Sequence, residues 1–277
     1  QGGLAAANRT AGRAYTVTVP LALADSQAWD IGSNVTVQLS GSIGDTPGLP
    51  PVLVKTGAGR VQLNAENTFA GPLTISNGTL RVTKAGALGT ADGATTVMGN
   101  LGGKLLLSGT FTSDEPLILG GDLNNFGLMQ LESGSVTLAG PVTMVNQIRV
   151  QAGGGRTLTF AGGITGNGSG LLVVNPSGGT IAFAEKPVRI PGQTLYFDQH
   201  GTCVVAATNN LWSEALVCGG TLRCDLPNAL PPAAALKIGI AYSVNGTLDL
   251  NGNDQTAGRL YMGTFLAGQR VIRSDAP

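Results

Sequence analysis

The sequence predicts an all-β fold, a right-handed parallel β-helix of about a dozen coils, and three observations carry that expectation. Short apolar–x–apolar runs recur along the whole chain, each bounded by turn residues. Glycine is abundant, at 43 of 277 residues, without the strict triplet of collagen. One long stretch repeats, because Val61 to Leu88 aligns without gaps on Cys203 to Leu230.

The runs are Val35 to Leu39, Arg60 to Leu63, Gly78 to Val82, Lys104 to Leu107, Ser135 to Leu138 and Arg156 to Phe160. Gly179 to Phe183, Gln193 to Phe197, Thr202 to Val205, Gly220 to Cys224, Gly246 to Leu250 and Arg259 to Met262 complete the set. Each has period two, so Leu80 and Val82 share one side while Arg81 points to the other. A glycine-rich chain is poor in long helices, since glycine costs about 1 kcal/mol relative to alanine in a helix interior. In the repeat, Ala65 falls on Ala207, Asn67 on Asn209, Gly78 to Arg81 on Gly220 to Arg223, and Ala87-Leu88 on Ala229-Leu230. With one residue of slip the similarity extends, so that residues 61–109 resemble 203–252. No linker separates the copies, which reads as one continuous solenoid over residues 1–277. A lone coil cannot bury its apolar side; stacked coils can. Strands about 4.8 Å apart would give a dozen coils a length of about 55–60 Å. Asn77-Gly78, Asn167-Gly168, Asn245-Gly246 and Asn251-Gly252 read as corners, where both residue types tolerate left-handed backbone.

Composition narrows the function. Charged residues are 12 % and the formal net charge is zero. A nucleic-acid partner is not expected, because no surplus of cations exists to displace counterions. A weakly charged chain repels its own copies little. The most apolar stretch, Ala229 to Tyr242, is broken by Pro231, Pro232 and Lys237, so no membrane span is expected. The chain starts at Gln1 without Met, as an excerpt or a processed chain would. Of the three cysteines, Cys203–Cys224 and Cys203–Cys218 are both open as disulfides between adjacent coils, and the bland alternative is small buried side chains.

Lys55-Thr-Gly-Ala-Gly-Arg-Val-Gln-Leu-Asn-Ala-Glu-Asn-Thr-Phe-Ala-Gly71, followed by Leu73-Thr-Ile-Ser-Asn-Gly-Thr-Leu-Arg-Val82, resembles the autotransporter-associated β-strand repeat. Leu248 to Gly258 is similar to a second common element of such proteins. The resemblance implies secretion to the bacterial cell surface and a right-handed β-helix, and leaves open adhesion, autoaggregation or display.

Some β-helices cleave polysaccharides with clustered acids. Here the acids are scattered. Asp114-Glu115 reads as a solvated corner, and Asp249 with Asp254 as a turn whose spacing matches neither an EF-hand nor the calcium-binding nonapeptide pattern. The single histidine, His200, has Asp198 as its nearest acid but no convincing nucleophile. No catalytic, cofactor or metal site is therefore expected. Asn8, Asn34, Asn77, Asn167 and Asn245 begin Asn-x-Ser/Thr sequons that turns explain. Both ends look strand-rich, at Tyr15 to Val19 and at Arg259 to Ile272, without a cap helix. Unpaired strand edges template further pairing. The expectation is a non-enzymatic structural or adhesive surface protein that self-associates end to end into a filament. A passenger that binds surface glycans comes second, and Trp29 and Trp212 are too far apart to show an aromatic row.

Overall fold

The computed structural model describes residues 3–7, 12–46, 48, 50–121, 127–166, 170–175, 177–197, 200–239, 245–263 and 270–274. Asn8, Asn167-Gly168 and Asp198 lie outside the described residues. The described chain is built of parallel strands and one 3-10 turn, Gly99–Leu101. It forms a parallel β-solenoid and divides into two compact units, Gln1–Thr143 and Met144–Pro277.

In the first unit one sheet stacks Gly3–Ala6, Gln27–Ile31, Leu53–Thr56, Leu73–Ile75, Thr95–Met98 and Leu117–Gly120. A second stacks Arg13–Val17, Val35–Leu39, Arg60–Leu63, Gly78–Val82, Gly103–Ser108 and Gly127–Ser133. Phe111–Ser113 with Ser135–Leu138 forms a third side. Alternation sets the register. Leu80 lies opposite Val61 and Leu105, and Val82 opposite Leu63 and Leu107, all buried. Like side chains thus form inward columns, each buried aliphatic residue contributing about 1.5–3 kcal/mol of apolar transfer.

The second unit repeats the plan. One sheet stacks Ile148–Ala152, Leu171–Asn175, Thr194–Phe197, Glu214–Val217, Ala235–Ile238 and Arg259–Met262. Another stacks Thr157–Phe160, Thr180–Ala184, Thr202–Ala206, Gly220–Cys224, Gly246–Asp249 and Arg270–Arg273. Ile164–Gly166 pairs with Val188–Arg189 on the remaining side. Phe160 and Phe183 stack in register, ring centroids 5.8 Å apart.

All the runs found by periodicity are strands, but they are not one per coil. Thr194–Phe197 and Thr202–Ala206 belong to different sheets and are two sides of one turn. Among the sides that periodicity missed are strands of two or three residues, such as Leu73–Ile75 and Val188–Arg189, too short to show alternation, and longer ones such as Gln27–Ile31 and Ile148–Ala152 were passed over too.

The repeat also needs one correction. Asn67 is buried, accepts a hydrogen bond from Ile43 N at 2.8 Å and donates to Ala87 O at 2.6 Å. In the second copy Asn210 does this, not Asn209. Asn210 accepts from Val188 N at 2.8 Å and donates to Ala229 O at 2.8 Å and Ala207 O at 2.7 Å. Asn209 is an exposed extra residue taken up in a left-handed corner, with φ 58°. The gapless alignment therefore pairs the wrong asparagines, because the additional corner residue displaces the fastening residue by one.

Candidate functional site

Phe111–Ser113 ends in Asp114-Glu115-Pro116, and Pro116 directs the chain round into Leu117–Gly120. Asp114 is exposed as expected, but Glu115 is only 5 % exposed, which corrects the reading of the pair as a solvated corner. Glu115 shares the period-two phase of Ser113, Leu117 and Leu119, all buried, and is carried inward with them. Its Oε1 accepts a hydrogen bond from Thr95 Oγ1 at 2.7 Å, while Oε2 is enclosed and has no partner. Burial pushes the Glu115 carboxyl up to about 7, against the opposing pull of its Thr95 hydrogen bonds. A slot of about 200 Å³ runs beside it, with Ala85, Gly86, Gly89 and Ala91 on one wall and Thr112 to Glu115 on the other. Ligand pockets usually hold about 300–1,000 Å³. This carboxyl can gain or lose a proton beside the slot, with its Oε2 enclosed.

Asp249, read from the sequence together with Asp254 as a turn, is also buried, at 4 % exposure. In-register stacking sets Arg223, Asp249 and Arg273 side by side. Arg273 Nη2 donates to Asp249 Oδ2 at 2.9 Å, and Asn251 N donates to Oδ1 at 3.0 Å. Arg223 forks onto Asp225 through bonds of 2.7 and 2.8 Å. The Asp249 charge is thus met by arginine, and Asp254 is exposed. Among the described residues no cluster of three or more His, Cys, Asp or Glu is placed to hold a metal. His200 is exposed. Trp29 and Trp212 are both buried.

Cys203, Cys218 and Cys224 are buried thiols. Cys203 pairs across strands with Leu222, and Val205 with Cys224, so the two cysteines are diagonal, two residues out of register. Strand spacing and rise put such Cα atoms about 8 Å apart, beyond the reach of a disulfide without backbone movement. Burial is the first cause that raises both thiols, Cys224 to about 12.

Sequence reasoning missed Lys55. It is fully buried, and its Nζ donates to three main-chain carbonyls, Thr56 O at 2.6 Å, Gly57 O at 2.7 Å and Asn77 O at 2.9 Å. Three donors meet three acceptors, which locks the corner below Gly78. Burial pushes the Lys55 ammonium down to about 8, with Asp30 pulling the other way, so it stays protonated at neutral pH. The signal was present in the alternation of Leu53 and Lys55, which puts both inward.

Among the described residues, some inward-phase side chains are left exposed where their register partners are buried. In the second unit Leu260, Met262 and Ile272 are 50, 41 and 42 % exposed, whereas their register partners Leu236, Ile238 and Leu248 are 3, 0 and 4 % exposed. In the first, Tyr15 is 43 % exposed opposite Val37 at 2 %.

Among the described residues no helix is long and apolar enough to cross a membrane. No curated protein and no solved structure matches the chain. The model of one family, the passenger-associated-transport-repeat, matches residues 53–82. That segment spans Leu53–Thr56 to Gly78–Val82 and contains both the Lys55 lock and the Asn67 fastening. Residues 53–82 are thereby similar to the passenger-associated-transport-repeat, a match that supports an autotransporter passenger-type repeat there.

Proposed function

We propose that the chain is a non-enzymatic structural or adhesive segment of a bacterial protein exported to the cell surface, and that copies associate end to end into a filament. The observation that carries the assembly is the set of inward-phase side chains Leu260, Met262 and Ile272, which no further strand covers among the described residues. A strand edge with an apolar side favours another strand upon it. A head-to-tail contact is heterologous and need not close, so it propagates. The passenger-type repeat at residues 53–82 supports export and surface display.

A glycan-binding flank would present aromatic rings on successive strands. In the column Tyr196, Leu216, Lys237 and Tyr261 the rings are separated by two non-aromatic residues, and Lys237 is engaged over Tyr261 and with Glu214. This favours assembly over glycan recognition. Negative-stain electron microscopy across a concentration series tests it. Filaments that lengthen with concentration support the reading; isolated particles at every concentration overturn it and return glycan screens to first place.

A further inference from the structure

Three Asn-Gly corners are described, and the fold treats two of them in opposite ways. At Asn77-Gly78 the Gly78 amide makes its hydrogen bond to the preceding side chain, Gly78 N donating to Asn77 Oδ1 at 2.6 Å. Asn77 itself is exposed. With a C=O bond of about 1.2 Å, this contact holds the Gly78 nitrogen within about 3.8 Å of Asn77 Cγ, close to a near-attack separation. At Asn251-Gly252 both partners are tied elsewhere. Asn251 Nδ2 donates to Asp225 Oδ1 at 3.0 Å, Asn251 N to Asp249 Oδ1 at 3.0 Å, and Gly252 N to Ser274 Oγ at 3.2 Å.

We propose that Asn77 is a built-in site of spontaneous deamidation, and that Asn251 is protected from it. The Gly78 nitrogen attacks Asn77 Cγ and loses its proton to solvent base. The Cγ–Nδ2 bond breaks and ammonia leaves, forming a five-membered imide. Water then adds at either imide carbonyl and opens the ring to aspartate or isoaspartate. Glycine at 78 leaves the attacking nitrogen without a neighbouring Cβ, and exposure of Asn77 admits the water. The consequence falls on the Lys55 lock, because Asn77 O is one of its three acceptors. The isoaspartyl product routes the main chain through an extra methylene and displaces that carbonyl.

The test is peptide mapping of the folded wild-type protein, aged in mildly alkaline buffer, against the same protein aged in denaturant. Trypsin releases residues 61–81 and 238–259, whose fragment ions report Asn77 and Asn251 separately. In denaturant both Asn-Gly pairs convert at similar rates. In the folded protein Asn77 is expected to keep its rate within about threefold, and Asn251 to slow by about tenfold or more, as expected when one site is held near attack and the other is tied away from it. An Asn77→Ser variant should lose the signal from peptide 61–81, excluding Asn64 and Asn67 as its source. Equal protection of Asn77 and Asn251 in the folded protein, or faster conversion at Asn251, overturns the proposal.

Discussion

Asn67 and Asn210 perform one task at equivalent corners of the two units: each holds the amide of an inward strand and the carbonyl of the following turn, Ala87 in one case and Ala229 in the other. Removing either side chain leaves a buried N–H and a buried C=O without partners, at about 1–3 kcal/mol per group. Asn67→Ala and Asn210→Ala should each lower unfolding free energy by about 2–4 kcal/mol in urea titrations. Asn209→Gly, at an exposed left-handed position, should leave stability unchanged or slightly raised. Equal losses at 209 and 210 would contradict the displaced fastening.

Glu115 makes stability fall as pH rises through the acidic range. Its folded carboxyl titrates near 7, raised from 4.5. Between those values the native state holds the proton that the unfolded chain has released. The loss is complete above about pH 7 and amounts to about 3 kcal/mol at most. Urea midpoints between pH 4.5 and 8 measure it, and Glu115→Gln should flatten this part of the profile.

Lys55 acts with the opposite sign in a higher window. Its folded ammonium titrates near 8, lowered from 10.5, so the unfolded chain binds more protons between those values. Stability contributed through this group rises with pH from 8 towards 10.5. Lys55→Met removes that rise and, by leaving three carbonyls without their donor, costs about 1–3 kcal/mol at neutral pH. A variant whose alkaline profile matches wild type would show that the lock does not control the titration.

The exposed side chains at Leu260 and Met262 separate stability from the proposed assembly. Leu236→Ala, in a filled column, should cost about 2–5 kcal/mol, whereas Leu260→Ala should change stability by about 0.5 kcal/mol or less. Leu260→Asp should abolish filaments while leaving the thermal midpoint in place. A large stability loss at Leu260 would show that it is covered within the monomer.

The thiols give a further check. Cys203 and Cys224 should react with a disulfide-exchange reagent only after denaturation, since burial disfavours both thiolates. Reductant should leave the thermal midpoint unchanged. A mass deficit of two hydrogens in the purified protein would show that the diagonal pair had been closed by backbone movement.

Much of the fold was legible because alternation and corner glycines are written into single strands. Leu80 and Val82 announce their side by their spacing, and Gly78 with Gly220, at φ 71° and 67°, mark equivalent corners. The short sides, such as Leu73–Ile75, were not legible, because three residues cannot display a period. Glu115 and Lys55 were misjudged or passed over because a charged side chain is ordinarily read as solvated. Their phase with buried neighbours said otherwise, and the cost of burial is offset by Thr95 and by three carbonyls respectively. Leu260 looked like its neighbours in sequence, since uncovering is a property of what lies across the strand.

The left-handed residue at Asn209 has a consequence for how such a molecule can change. Slack introduced at a bend is absorbed before the next strand begins, so coils of unequal length still lie in step. A duplicated coil arrives with its own tolerance and with an asparagine that fastens it to the coils on either side. Growth by whole modules is thus made safe by the least regular stretches of the sequence, while the regular strands merely inherit the alignment that the bends preserve.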